Sequence, residues 1–264
     1  MKRVIVRSGV KSTGLKCKTR TFTPIAIFTM TDSPATTRLI TDQTLSRSDL
    51  ASLLAGEPQQ GLRFERCDFD GQDLSRLNLR GAEFQDCTLA EASLERCDLA
   101  QTQWLACKAR QANFHLADLT DASFSRCNLN NSTWGLTKLA GVSFIEVKLT
   151  GANFKGAHQT LGLRFQDSLL VGADLRGLSF RKQTIARLNL ADADLGGCDF
   201  RDAVFEGGSL RDANLKNAQF EGADLRSVDL SGLTITNVAQ QFKGATLSME
   251  QAAALISGLG VRVM

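Results

Sequence analysis

The chain has 264 residues, no tyrosine and only two histidines, His115 and His158. Neither histidine can be paired with a nucleophile from its spacing. Phosphate-cradling glycine loops and helical zinc motifs of the His-Glu-x-x-His kind are missing as well. No catalytic residue, no metal site and no cofactor is expected, and the chain reads as non-enzymatic. It also lacks any run of about 18 apolar residues, so no transmembrane helix and no membrane association are expected. Residues 1–29 hold Lys2, Arg3, Arg7, Lys11, Lys16, Lys18 and Arg20 and no acid. They lack the apolar core of a secretory signal. The net charge of +3 comes from this stretch, because the remainder has 24 basic and 28 acidic residues. A mildly acidic body gives little support for direct nucleic-acid binding.

What the chain has is a repeat of five. From Phe64 to Phe154 every fifth residue is apolar, and all nineteen are Phe, Leu or Trp except Ala109. Two places before each of most of these centres stands a smaller residue, such as Cys67, Ala82, Cys87 or Ala92. The other places are mostly polar. A period of five fits neither a 3.6-residue helix nor a two-residue strand alternation, so the chain must turn after each short extended piece. Like residues recur every twenty: Phe64, Phe84, Trp104, Phe124 and Phe144 are aromatic, and Leu79, Leu99, Leu119 and Leu139 are leucine. One coil therefore has four sides, and coils stack with like side chains above and below. The expected fold class is all-β, a four-sided β-solenoid in which each coil contacts mainly its neighbours. A filled solenoid has no pocket, so its outward carboxylates make no catalytic pair. Recognition by a rigid surface is left.

Cys67, Cys87, Cys107 and Cys127 lie twenty apart on one side of successive coils. Backbone spacing alone permits a disulfide between neighbours. All four take the small inward place used elsewhere by alanine, however, and read as free core filler in a reducing compartment.

Along the chain, residues 1–29 are a disordered basic tail, an upstream start before Met30, or a basic targeting or binding arm. Residues 30–60 are an N-terminal cap with one short helix, N-capped by Ser48, over the first coil. The repeat column spans 61–235. Its register slips by one residue across 155–164, where Phe154 and Phe165 stand eleven apart instead of ten. Lys155, His158, Gln159 and Leu161 lie in this break, which is either plain accommodation or a contact loop. In the second run acids outnumber bases. Asp192, Asp194, Asp199, Asp202, Asp212, Asp224 and Asp229 are candidates for a partner-binding acidic surface, or else an ordinary solvated face. Residues 236–264 begin past the repeat. Ser248-Met249-Glu250-Gln251 has the form of a capping box, predicting a helix to about Ser257 ended by Gly258. The apolar residues Leu255, Ile256, Leu259, Val261 and Val263 form a candidate dimer interface, with simple end-capping as the other reading.

The units Ala152-Asn153-Phe154, Ala173-Asp174-Leu175, Ala213-Asn214-Leu215 and Ala223-Asp224-Leu225 resemble the pentapeptide-repeat proteins. That resemblance implies a right-handed quadrilateral β-helix with short helical caps. Two stretches, 143–149 and 245–261, look like the topoisomerase-protecting branch of the family, which includes the Qnr and the albicidin- and microcin-protection proteins. The branch implies a cytoplasmic homodimer joined through the C-terminal helix. Such a dimer enters the positive saddle of DNA gyrase or topoisomerase IV as a mimic of duplex DNA, countering quinolone- or albicidin-type poisons. Over residues 61–232 the charge is nearly balanced, 23 acids to 20 bases, and the break is shorter than the loops of well-known Qnr members. The alternative is a generic interaction scaffold or effector with an unrelated protein partner.

Overall fold

The computed structural model describes residues 37–55 and 61–262. The readings made for 1–29, for a start at Met30 and for Val263 lie outside these residues. Among these described residues nine short strands form one parallel sheet in sequence order. They are β1 (Arg38–Thr41), β2 (Leu62–Glu65), β3 (Glu83–Gln85), β4 (Gln103–Leu105), β5 (Ser123–Ser125), β6 (Ser143–Ile145), β7 (Arg164–Gln166), β8 (Thr184–Ala186) and β9 (Val204–Glu206). Phe64, Phe84, Trp104, Phe124 and Phe144 are in direct register through this face. We call the strand-bearing side face one. Faces two, three and four carry the centres Leu89, Leu94 and Leu99 and their equivalents, joined between coils by single parallel bridges. Nine rungs at about 4.8 Å each make a column roughly 40 Å long.

The corners explain the period. On face two, for example, Gln72 N–H donates to the Phe69 carbonyl at 3.1 Å, and Gly71 between them has φ +66°. That is a type II turn, with its left-handed residue two places after the centre. The same place is left-handed at Leu116 and Leu136, with φ of 59° and 54°, a conformation uncommon for leucine. The column tolerates it because the coil below and the coil above fix the backbone on both sides.

Inside, the aromatic centres stack coil on coil. Phe84 and Trp104 ring centroids are 4.0 Å apart, and Phe114 and Trp134 are 4.2 Å apart. Rings from opposite faces meet edge-on, as Phe124 does with Trp134 at 5.7 Å. Each indole nitrogen donates to a buried hydroxyl, Trp104 to Thr102 and Trp134 to Ser132. Among the described residues no buried side-chain nitrogen or oxygen lacks a partner. The six described cysteines are buried and free, with thiols such as Cys97 donating to the carbonyl of the coil below. Burial pushes Cys97 up to about 11 and Cys198 up to about 12, so both stay protonated and inert at neutral pH.

Both ends are covered. The ladder starts at β1, one partial coil before the repeat is continuous, with Ile40, Leu45 and Leu50 buried five residues apart. Helix α1 (Arg47–Leu54) replaces the rest of that coil. Its N-cap is Ser46, correcting the assignment to Ser48: Asp49, three residues after Ser46, completes a capping box that Ser48 has no acid to form. At the far end, α2 (Ile235–Val238) and α3 (Met249–Ser257) close the column. The Ser248–Gln251 capping box forms as expected. The Gln251 amide also donates to the carbonyls of Leu225 and Val228, both at 2.7 Å. One side chain thus satisfies both the helix start and the open edge of the last coil. The helix ends at Gly258 in a right-handed conformation, and the left-handed residue is Gly260, with φ +76°. Among the described residues no helix is long and apolar enough to cross a membrane.

Candidate functional site

A filled column leaves only its outside to act, and three surface regions carry the residues singled out from the sequence. The first is the acid-rich second run. Asp194, Asp199, Asp224 and Asp229 occupy the place before a centre. There a carboxylate oxygen accepts the backbone N–H two residues on, as Asp229 does from Ser231 at 3.0 Å. Asp192, Asp202 and Asp212 instead sit at left-handed corners, with φ of 58°, 59° and 53°, and are exposed.

Five of these seven carboxylates lie within 4.0 Å of an arginine. Arg201 and Arg226 grip Asp199 and Asp224 through forked bonds. Arg176 reaches Asp194 at 3.3 Å, and Arg181 and Arg211 stand 3.8 Å from Asp202 and Asp212. The signal for the forks was present in the sequence. In Asp199-Phe200-Arg201 and Asp224-Leu225-Arg226 the charged residues are two apart on an extended piece and so face the same way. These are mostly exposed pairs, and each adds little to stability. The Asp199 and Asp224 carboxyls are nonetheless held below the usual carboxylate range, foremost by the bonds from Arg201 and Arg226.

A carboxyl lowered on folding stabilises the column above its unfolded value, near 3.9, and that contribution disappears as pH falls through the folded value. Loss of stability on acidification should therefore begin just below about pH 4. Arg201→Gln should flatten the profile in that range and leave it unchanged at pH 7 apart from a small offset. Thermal unfolding scanned across pH checks this.

The second region is the register break. Lys138 bridges to His158 in the ordinary twenty-residue step, whereas Ser143 pairs with Arg164, twenty-one on. The extra residue therefore lies between His158 and Leu161. Gln159 stands where face four would continue its line of leucines, and it is exposed with φ +51°. Leu161 is 88% exposed. Between Phe154 and Leu163 no side chain is fully buried. When the register resumes, phenylalanine replaces leucine as the face-four centre, in the stacked series Phe180, Phe200 and Phe220. Lys155 and His158 are exposed beside the break. His115 is half-buried beside Gly135, where a Cβ would stand 2.9 Å from its Nδ1.

The third region is the C-terminal end. Leu255 is 3% exposed and packs into the chain's own core, so it anchors α3 and is not free to meet another molecule. Ile256, Leu259 and Val261 are exposed, as is Met249. The candidate residues therefore divide: Leu255 turns in, and Ile256, Leu259 and Val261 turn out.

With this geometry in place, two stretches of the column are identified as pentapeptide repeats. The family model described as "Pentapeptide repeat region" matches residues 60–134, and "Pentapeptide repeats (8 copies)" matches 193–232. Among solved structures the chain is similar to trypsin-treated QnrB1, a plasmid-mediated fluoroquinolone resistance protein. That likeness has a TM-score of 0.68 at 23% identity and covers 76% of this chain and 99% of that one. Full-length QnrB1 gives a TM-score of 0.59 at 22% identity, covering 75% and 100%. At such identity the likeness establishes the fold. No curated protein matches the chain by sequence.

Proposed function

We propose that this protein is a dimeric DNA mimic that binds DNA gyrase or topoisomerase IV and shields it from poisons of the quinolone or albicidin type. The observation that carries this reading is the extent of the likeness to QnrB1, whose full length is covered, together with an exposed apolar edge on the terminal helix. Two columns joined at that edge make a rod of roughly 80 Å, long enough to replace more than two turns of duplex DNA. The acid-rich coils lie nearest the junction, and the break at 155–164 projects Leu161 from the side. Partner binding is cytoplasmic in this reading and involves no nucleic acid directly.

A second reading has its own support. Arginines neutralise most of the acidic candidates, so the rod lacks a bare carboxylate stripe, which suits a general interaction scaffold with another protein partner. Gyrase supercoiling with ciprofloxacin, and separately with albicidin, tells the two apart. Restored supercoiling and direct binding to the enzyme support the mimic; no protection and no binding leave the scaffold.

The junction is tested by Ile256→Asp with Leu259→Asp. Two buried carboxylates in an apolar contact are costly enough to prevent association. Light scattering should show a dimer for the parent and a monomer for the variant, with unfolding temperature little changed. Leu255→Asp should loosen the cap itself and lower the unfolding temperature.

A further inference from the structure

Charge is unevenly shared around the column. From Gln85 to Val204 the outward places of faces one and two hold no carboxylate, while faces three and four hold Glu95, Asp98, Asp118, Asp174, Asp194 and Asp199 over the same span. Face two is rich in donors. Lys108, Asn128, Lys148 and Leu169 follow one another in a bridged file, with Arg110 beside Lys108. Lys108, Arg110 and Lys148 are exposed, and none is in an ion pair among the described residues. The Asn128 side-chain oxygen accepts Asn130 N–H, and the Asn130 oxygen accepts Thr150 N–H. Their amide N–H groups are left as the outward polar atoms.

Three aliphatic side chains interrupt this polar surface at mid-column. Ile145 ends strand β6 on face one, and Leu169 and Val171 stand on face two one coil further on. Ile145 is 38% and Leu169 41% exposed. Lys148 sits directly below Leu169, about 4.8 Å away along the column. At the corner between the faces, Asp167 is tied to Arg187, Arg126 is exposed, and Asp86 and Glu146 are the other bordering carboxylates.

We propose that this side, centred on Ile145, Lys148 and Leu169, docks an acidic protein segment carrying aliphatic side chains. Its carboxylates would meet Lys108, Arg110 and Lys148, and its apolar residues would cover Leu169 and Val171. Complementary charge steers and registers such a contact, and the aliphatic patch supplies the desolvated centre. A nucleic acid fits poorly. The side offers five exposed cations over about 15 Å, Lys108, Arg110, Arg126, Lys148 and Arg164, with Glu146 and Asp167 set among them, where duplex DNA carries one charge per about 1.7 Å, and it presents no aromatic ring for base stacking. The site lies away from the acid-bearing faces and stands whether or not the partner of those faces is a topoisomerase.

The test uses the full chain and a short fluorescein-labelled peptide of glutamates with central leucines, followed by anisotropy at low and high salt. The parent should bind, more weakly at high salt. Lys108→Glu/Arg110→Glu/Lys148→Glu should lower affinity about tenfold or more, and Leu169→Asn should lower it by a smaller factor. The control Lys182→Glu/Lys216→Glu/Lys243→Glu should stay within about twofold. Unchanged far-ultraviolet circular dichroism keeps misfolding out of the comparison. The proposal is overturned if the parent does not bind, if the control loses as much as the triple variant, or if a labelled DNA duplex binds the same face more tightly than the peptide.

Discussion

Replacing Trp104 by alanine should unfold the column some 10 °C or more below the parent, a loss of about 3–5 kcal/mol. The indole lies between Phe84 at 4.0 Å and Phe124 at 5.4 Å and meets Phe114 edge-on at 6.3 Å. Its removal opens a void in the middle of a stack that cannot collapse, because the backbone spacing is set by the ladder bonds of the coils on either side. The nitrogen's bond to Thr102 is lost as well. Trp104→Phe should cost less than about 1.5 kcal/mol, since phenylalanine already fills the same place at positions 84 and 124. Differential scanning calorimetry on the pair separates packing from a general intolerance of change. Equal losses for the two variants would mean that the indole's hydrogen bond, not its stacking, holds this layer.

The second large effect is expected at Gly208, which stands in the small inward place held by cysteine in the early coils and by Leu188 one coil before. Gly207 and Gly208 both have positive φ, 79° and 90°. A methyl on Gly208 would run into the Leu188 carbonyl oxygen and come within 2.8 Å of its nitrogen. With no side chain to fill the inward place, the backbone itself has moved in. Ser227 bridges the gap, accepting from Gly207 N–H at 2.9 Å and donating to the Phe205 carbonyl. Gly208→Ala therefore meets both backbone strain and a collision with backbone that has no flexible end to yield. A loss of at least about 2–3 kcal/mol is expected. Because coils interact mainly with their neighbours, the damage should concentrate beyond Phe205. Hydrogen exchange should show lost protection in 209–257 before 64–150.

The core was legible because its period is strict. Nearly every five-residue centre from Phe64 to Leu230 is buried, as are the small residues two places before most of them. The start of the column was harder to see. Ile40, Leu45 and Leu50 keep the spacing, but α1 intervenes before the repeat becomes continuous, so three centres alone resemble a helical cap. The choice between Ser46 and Ser48 turned on Asp49, a local contact that apolar periodicity does not register. The surface was less legible still. Acid counts marked the second run, but whether a carboxylate is bare depends on the arginine two residues on or in the next coil, as with Asp194 and Arg176. Leu255 and Ile256 look alike in sequence, and only the packing of α3 sends one inward and the other outward.

The claim beneath all of this is that the interior is solid and every function lies outside it. Peptide-resolved alkylation of the native protein with a maleimide, read by mass spectrometry, tests it most directly. Cys67, Cys87, Cys97, Cys107, Cys127 and Cys198 should remain unlabelled until denaturant is added, then react together. Rapid labelling of Cys87, Cys107 or Cys198 in the folded protein would reveal an open or solvent-lined interior and contradict the account.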